Sequence, residues 1–202
     1  MQLVRRIAAC ALLLVVAAGC SERATIHAPA TVLVVGDSIL DFSKADVAKT
    51  LEHAGWTPTV DARRGSRVTG GFTIGSWPQE LATRVARAKP DVAVVELGTN
   101  GCGFCNTDSD GINAVMQSLR SVRRVYWVNV REHAPIPEDP AAFNRALQQA
   151  RLRWPNLHVI DMNKEIGDDP KLILADHVHP TPRGEQAIAD MIEAALPKVV
   201  QS

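Results

Sequence analysis

The sequence predicts an α/β fold: a five-stranded parallel sheet covered by helices on both faces. Three observations carry that prediction. Short β-branched runs alternate with amphipathic stretches of helical period, and that alternation is the pattern of parallel strands joined by crossover helices. The chain has 202 residues, a length that suits one domain with a full core. It is 46% hydrophobic and 22% charged, too apolar for disorder and too unbiased for a coiled coil or collagen.

The elements follow in order. Thr31–Val35 reads as a buried strand. Ser43–Ala54 places Val47, Ala48, Leu51 and Ala54 on one helical face, with Gly55 as the stop. Thr57–Asp61 is a second strand. Ser76-Trp77-Pro78-Gln79 has the form of a capping box, opening a helix with Leu81, Ala82 and Val85 inward and ended by Pro90. Val92–Leu97 is the central strand, followed by a helix over Gly111–Val122 and a strand at Val125–Val130. Pro140–Trp154 is helical, and Leu157–Asp161 is the fifth strand. Thr181 caps a last helix with Pro182 at its first position, burying Ala187, Ile188, Met191, Ile192 and Ala195. Five strands in this length suggest a three-layer α/β/α sandwich with flavodoxin-like winding. Its ligand site is then expected at the carboxyl ends of the strands.

The first residues belong to a different class. Met1–Arg6 carries two arginines, and Ile7–Ala18 is apolar throughout. That run is too short to span a bilayer, which takes about 20 residues, but it fits the core of a signal peptide. Ala17-Ala18-Gly19-Cys20 resembles the bacterial lipobox, in which the cysteine is acylated and the leader is cut before it. The expected organisation is a lipoprotein-type leader at 1–19, a tether at 20–30 and one domain at 31–202. An ordinary secretory leader with Cys20 incidental is the other reading.

The 22 basic and 22 acidic residues cancel, and loss of the leader removes Arg5 and Arg6 to leave −2. That balance argues against a nucleic-acid partner, which selects a basic face. Membrane association is expected only through the lipid at Cys20. Cys102 and Cys105 remain, in an export compartment that permits disulfides. A redox role for this Cys-x-x-Cys wants a helix N-terminus, and a zinc site wants two more ligands. A structural disulfide is the favoured reading.

Three motifs fall on the predicted active edge. Gly36-Asp37-Ser38 ends the first strand, Gly98-Thr99-Asn100 ends the third, and Asp176-His177-Val178-His179 precedes the last helix. A serine, a histidine and a carboxylate there supply nucleophile, base and orienter for acyl transfer. With Gly65 between them, these blocks resemble, in order, those of the SGNH (GDSL-type) hydrolases. The resemblance runs from about residue 31 to the C-terminus. It implies Ser38 as nucleophile, His179 as base and Asp176 as its partner. It also implies an oxyanion hole made of the Ser38 and Gly65 amides and the Asn100 side chain. Val60-Asp61-Ala62, Glu96-Leu97-Gly98-Thr99-Asn100-Gly101 and Val128-Asn129-Val130-Arg131 are similar to extracytoplasmic domains of polysaccharide and peptidoglycan O-acetyltransferases and esterases.

The residues also have plainer readings. Ser38 is a common helix-capping residue, and Asp37 suits a turn-stabilising role. Asp176, His177 and His179 are metal-ligand types, but no further cluster completes a shell, so no metal or cofactor is expected. His177 is read as a flanking loop residue, and His27, His53, His133 and His158 as surface or structural. Arg63, Arg64 and Arg67 read as a solvated loop before an anion site, and Trp77 and Trp127 as core. The function expected is an exported serine esterase for small O-acyl esters, with envelope carbohydrate as the favoured carrier. An O-acyltransferase with the same triad is the enzymatic alternative, disfavoured by the lack of a membrane-embedded acyl-donor segment in this sequence. A non-catalytic envelope-binding lipoprotein is the other.

Overall fold

A run of Val32, Leu33, Val34 and Val35, apolar on both faces, can satisfy its side chains only in the middle of a covered sheet. The computed structural model, which describes residues 23–70 and 76–200, places it there. The chain runs β1 (Thr25–His27), β2 (Ala30–Gly36), α1 (Ser38–His53), β3 (Trp56–Ala62), α2 (Trp77–Ala88), β4 (Val92–Glu96) and α3 (Asp108–Ser118). It continues through β5 (Arg124–Val128), α4 (Pro140–Arg153), β6 (Leu157–Ile160), α5 (Met162–Glu165), α6 (Pro182–Ala195) and β7 (Lys198–Val200). The main sheet has the order β3-β2-β4-β5-β6, all parallel. The expected five-stranded three-layer sandwich is what the chain forms.

Side-chain alternation splits the core in two. Val32, Val34, Val92 and Val94 face Leu40, Val47, Leu51, Ile188 and Ile192 of α1 and α6. Leu33, Val35, Ala93 and Val95 face Leu81, Ile112, Met116 and Leu147 of α2, α3 and α4. Trp77 and Trp127 are fully buried, as expected of core residues.

Several expectations need correction. Helix α1 starts at Ser38 rather than Ser43, because Asp37 is its N-cap and accepts from the Ile39 amide. Ser76 does precede α2 but makes no side-chain cap bond. Pro78 removes one of the amides it would reach, and the Gln79 amide bonds the Ser76 carbonyl instead. Helix α3 begins at Asp108, where Thr107 accepts from the Asp110 amide. Within the expected tether, Thr25–His27 is a strand, paired in parallel with Lys198–Val200 at the other end of the chain. The leader at 1–19 and Cys20 lie outside the described residues. Among the described residues, no helix is long and apolar enough to cross a membrane.

Candidate active site

Strand β2 lies between β3 and β4, so the crossovers leaving its two sides part company there. The carboxyl ends of β2 and β4 therefore flank a crevice, the usual ligand position in such sheets. Ser38 follows β2, and Asn100 follows β4. The turn from β2 into α1 is tight enough to require glycine. A Cβ on Gly36 would fall 2.7 Å from Leu40 Cβ and 2.8 Å from the Glu96 carbonyl oxygen.

Ser38 Oγ stands 3.0 Å from His179 Nε2, and His179 Nδ1 stands 2.7 Å from Asp176 Oδ2. With Nδ1–H donating to the carboxylate, Nε2 is left to accept from the hydroxyl. Asp176 also accepts from the amides of Val178 and His179 at 2.9 and 3.0 Å. Partial burial works to raise its pKa, but the His179 bond and the two amides outweigh it and bring it down to about 2. The loop is braced from below by Arg131, a buried side chain that donates to the carbonyls of Gly167 and His177 and to Asp168. Phe42 of α1 lies against the His179 ring, with centroids 5.1 Å apart. A hydroxyl facing an imidazole so held is arranged to lose its proton as it attacks a carbonyl.

The expected oxyanion donors are drawn together differently. Ser38 occupies the first helical position, where its N–H has no place in the helical ladder. Gly65 lies in the loop after β3 that Asn100 ties down. The Asn100 side-chain amide donates to Asp37 Oδ2 at 3.0 Å and to the Ser66 carbonyl at 3.1 Å. Both its hydrogens are thus engaged, so it would have to release one to meet a developing oxyanion.

Behind this edge two carboxyls from separate motifs, Asp37 and Glu96, come together. Asp37 and Glu96 are 0% and 2% exposed and hydrogen-bond one another. Burial pushes Asp37 up from 3.8 to about 6, despite help from the Ile39 amide, Glu96 and Asn100. Burial, and then the charge of Asp37, push Glu96 well above the carboxylate range. The two share a proton, with protonated Glu96 donating to Asp37. The sequence carried a signal for this, an acid closing an otherwise apolar central strand.

The remaining candidates separate. Cys102 and Cys105 form a disulfide with Cα atoms 5.9 Å apart. His177 gives its carbonyl to Arg131 and plays no part in the Ser38–His179–Asp176 chain. Arg63 is not a solvated loop residue: it pairs with Asp61, two residues before it, and with Glu80 of α2, and it lies over Trp77. Arg64 is exposed, bonded to Asp41 and stacked on Phe42.

Comparison with known proteins bears on the family and the fold. A family model for the GDSL-like lipase/acylhydrolase family matches residues 34–187. The O-acetyltransferase OatA of Staphylococcus aureus is 24% identical over 161 residues, which is 79% of this chain and 24% of that protein. The chain therefore spans about a quarter of the length of that curated relative. The C-terminal catalytic domain of Streptococcus pneumoniae peptidoglycan O-acetyltransferase A superposes with a TM-score of 0.64 at 17% identity, covering 82% of this chain and 92% of that one. A family 3 carbohydrate esterase from Talaromyces cellulolyticus gives 0.60 at 18% identity, covering 82% and 95%.

Proposed function

The chain belongs to the GDSL-like lipase/acylhydrolase family, and on that premise we propose that it is a serine esterase for small O-acyl esters. The observation that carries this is the continuous hydrogen-bonded chain from Ser38 Oγ through His179 to Asp176. As Oγ attacks the acyl carbon, His179 Nε2 takes its proton, and Asp176 stabilises the imidazolium. The carbonyl oxygen, now negative, meets the Ser38 and Gly65 amides, and Asn100 joins by releasing one of its two resting acceptors. Collapse expels the alcohol, which takes the proton back from His179 and leaves an acyl-Ser38. Water then attacks with His179 again as base, and the acid and free Ser38 are regenerated. The chemistry draws on these side chains, two backbone amides and water.

The partly exposed side chains of His179 and Asp176 are open to water as the acceptor. Likeness to a carbohydrate esterase and to OatA supports an acylated carbohydrate of the cell envelope as substrate. The OatA likeness also favours a second reading, transfer of the acyl group to a sugar hydroxyl from the same acyl-Ser38. Export by the leader and anchoring through lipid on Cys20 fit either reading.

Turnover of 4-nitrophenyl acetate, with and without a sugar acceptor, tests the proposal. Ser38→Ala is expected to lower kcat by roughly 10⁴–10⁶-fold, and full activity in that variant would remove the reading. Acetylated sugar formed at the expense of free acetate would favour transfer.

A further inference from the structure

Phe104, at the tip of the Cys102–Cys105 loop, is 87% exposed. A lone exposed aromatic on a loose loop would mean little. This one is held. Its amide donates to Thr69 Oγ1 at 2.9 Å, and that hydroxyl donates to the Cys102 carbonyl at 2.7 Å. The backbone amides of Val68 and Thr69 donate to Gly101 and Cys102, and the disulfide closes the loop. The ring rests over the backbone of Gly70, where a Cβ would come within 2.5 Å of Phe104 Cδ2. The backbone is fixed on both sides while the ring faces solvent.

Beside the ring is a cavity of about 510 Å³, lined by Thr69, Ser76, Gln79, Asn106 and Asp110 among others. Its lining holds no cation and a single acid, so it suits a neutral ligand rather than an anion. The side-chain amides of Gln79 and Asn106 make no hydrogen bond among the described residues, and each offers both donors and an acceptor. An aromatic face with planar amides and one carboxylate around it matches a pyranose. The ring takes the C–H face of the sugar, and the amides and carboxylate bond its hydroxyls. Phe104 is four residues from Asn100, so the two are at most about 14 Å apart along extended chain. A short oligosaccharide of a few units covers that span.

We propose that Phe104, with Gln79, Asn106 and Asp110, forms a carbohydrate subsite that holds the sugar chain next to the acylated unit at Ser38. The proposal deepens the esterase reading and rests on it for the position of the ester. A pyranose further along the chain from the acylated sugar stacks on Phe104, whose backbone the disulfide and the Thr69 bonds hold in place.

The test uses Ser38→Ala protein, so that binding is read without turnover. Xylotetraose and chitotetraose, two β-linked tetrasaccharides, are titrated in a proton–nitrogen NMR experiment. Binding of at least one is expected, with shifts at Phe104, Asn106 and Gln79. Adding Phe104→Ala should raise its Kd about five- to tenfold, and Phe104→Trp should restore it. No binding of either sugar, or equal Kd with and without the ring, overturns the subsite. The ester assay reports separately: aryl acetate turnover with a silent titration leaves the esterase reading and removes the subsite. A Phe104-dependent titration without ester turnover does the reverse.

Discussion

Asp37→Asn is the most informative change outside the hydroxyl–imidazole–carboxylate chain, because its effect depends on pH with a sign set by burial. Asp37 is fully enclosed, and its carboxyl is raised from 3.8 to about 6 in the folded protein. A raised folded-state pKa contributes stability that is fully present below 3.8 and is lost as pH rises through about 6. At about 1.4 kcal/mol per unit, that shift takes ~3 kcal/mol from the folded state, and ~2 kcal/mol of it falls between about pH 4 and about pH 7.5. Asparagine is as good an N-cap as aspartate and can still accept from the Ile39 amide, so α1 keeps its start. It also removes the charge that pushes Glu96 upward. The loss of the acceptor for Asn100 adds a constant penalty. Urea unfolding followed by tryptophan fluorescence at the two pH values gives the difference between variant and wild type. That difference should move by at least ~2 kcal/mol in favour of Asp37→Asn on going to the higher pH. A gap that stays constant with pH would refute the buried, proton-sharing pair.

Asp176→Asn should lower kcat by about 10²–10⁴-fold, because the imidazole loses its orienting charge, whereas His177→Ala should retain most activity. The reverse order in ester assays would reassign the base. Free-thiol titration of unreduced protein should find no reactive thiol at Cys102 or Cys105. Converting both to Ser should lower kcat more than Tm, since the loop they close is short and lies beside Asn100. Metabolic labelling with a clickable fatty acid should tag the wild type and not Cys20→Ser, and an unlabelled wild type would mark an ordinary secretory leader.

Much of the fold is local and so could be read from the chain. The five β-branched runs and the Thr181-Pro182 start of α6 each carry their signal within a few residues. The pairing of Thr25–His27 with Lys198–Val200 joins the two ends of the chain, and three residues with a single apolar member give no period to read. The first turn of α1 was hidden because Asp37 looks like a turn residue until its bond to the Ile39 amide is seen. At the site, Ser38, Asn100, Asp176 and His179 stand out by residue type at the ends of elements. Glu96 also stands out, as the acid that closes β4, but its pairing with Asp37 is not legible, because it depends on the register that sets Glu96 opposite Gly36 in the neighbouring strand. In the sequence Arg131 is merely the last residue of the Val128–Arg131 run. Its role comes from carbonyls at residues 167 and 177, which only the tertiary fold brings to it.

The central claim is that Ser38 is a nucleophile activated by His179. A fluorophosphonate probe followed by peptide mass spectrometry tests it most directly. One adduct is expected, on the peptide containing Ser38, and it should disappear in His179→Ala protein that still unfolds cooperatively. Ester turnover with no adduct, or with the adduct on another residue, would contradict the account.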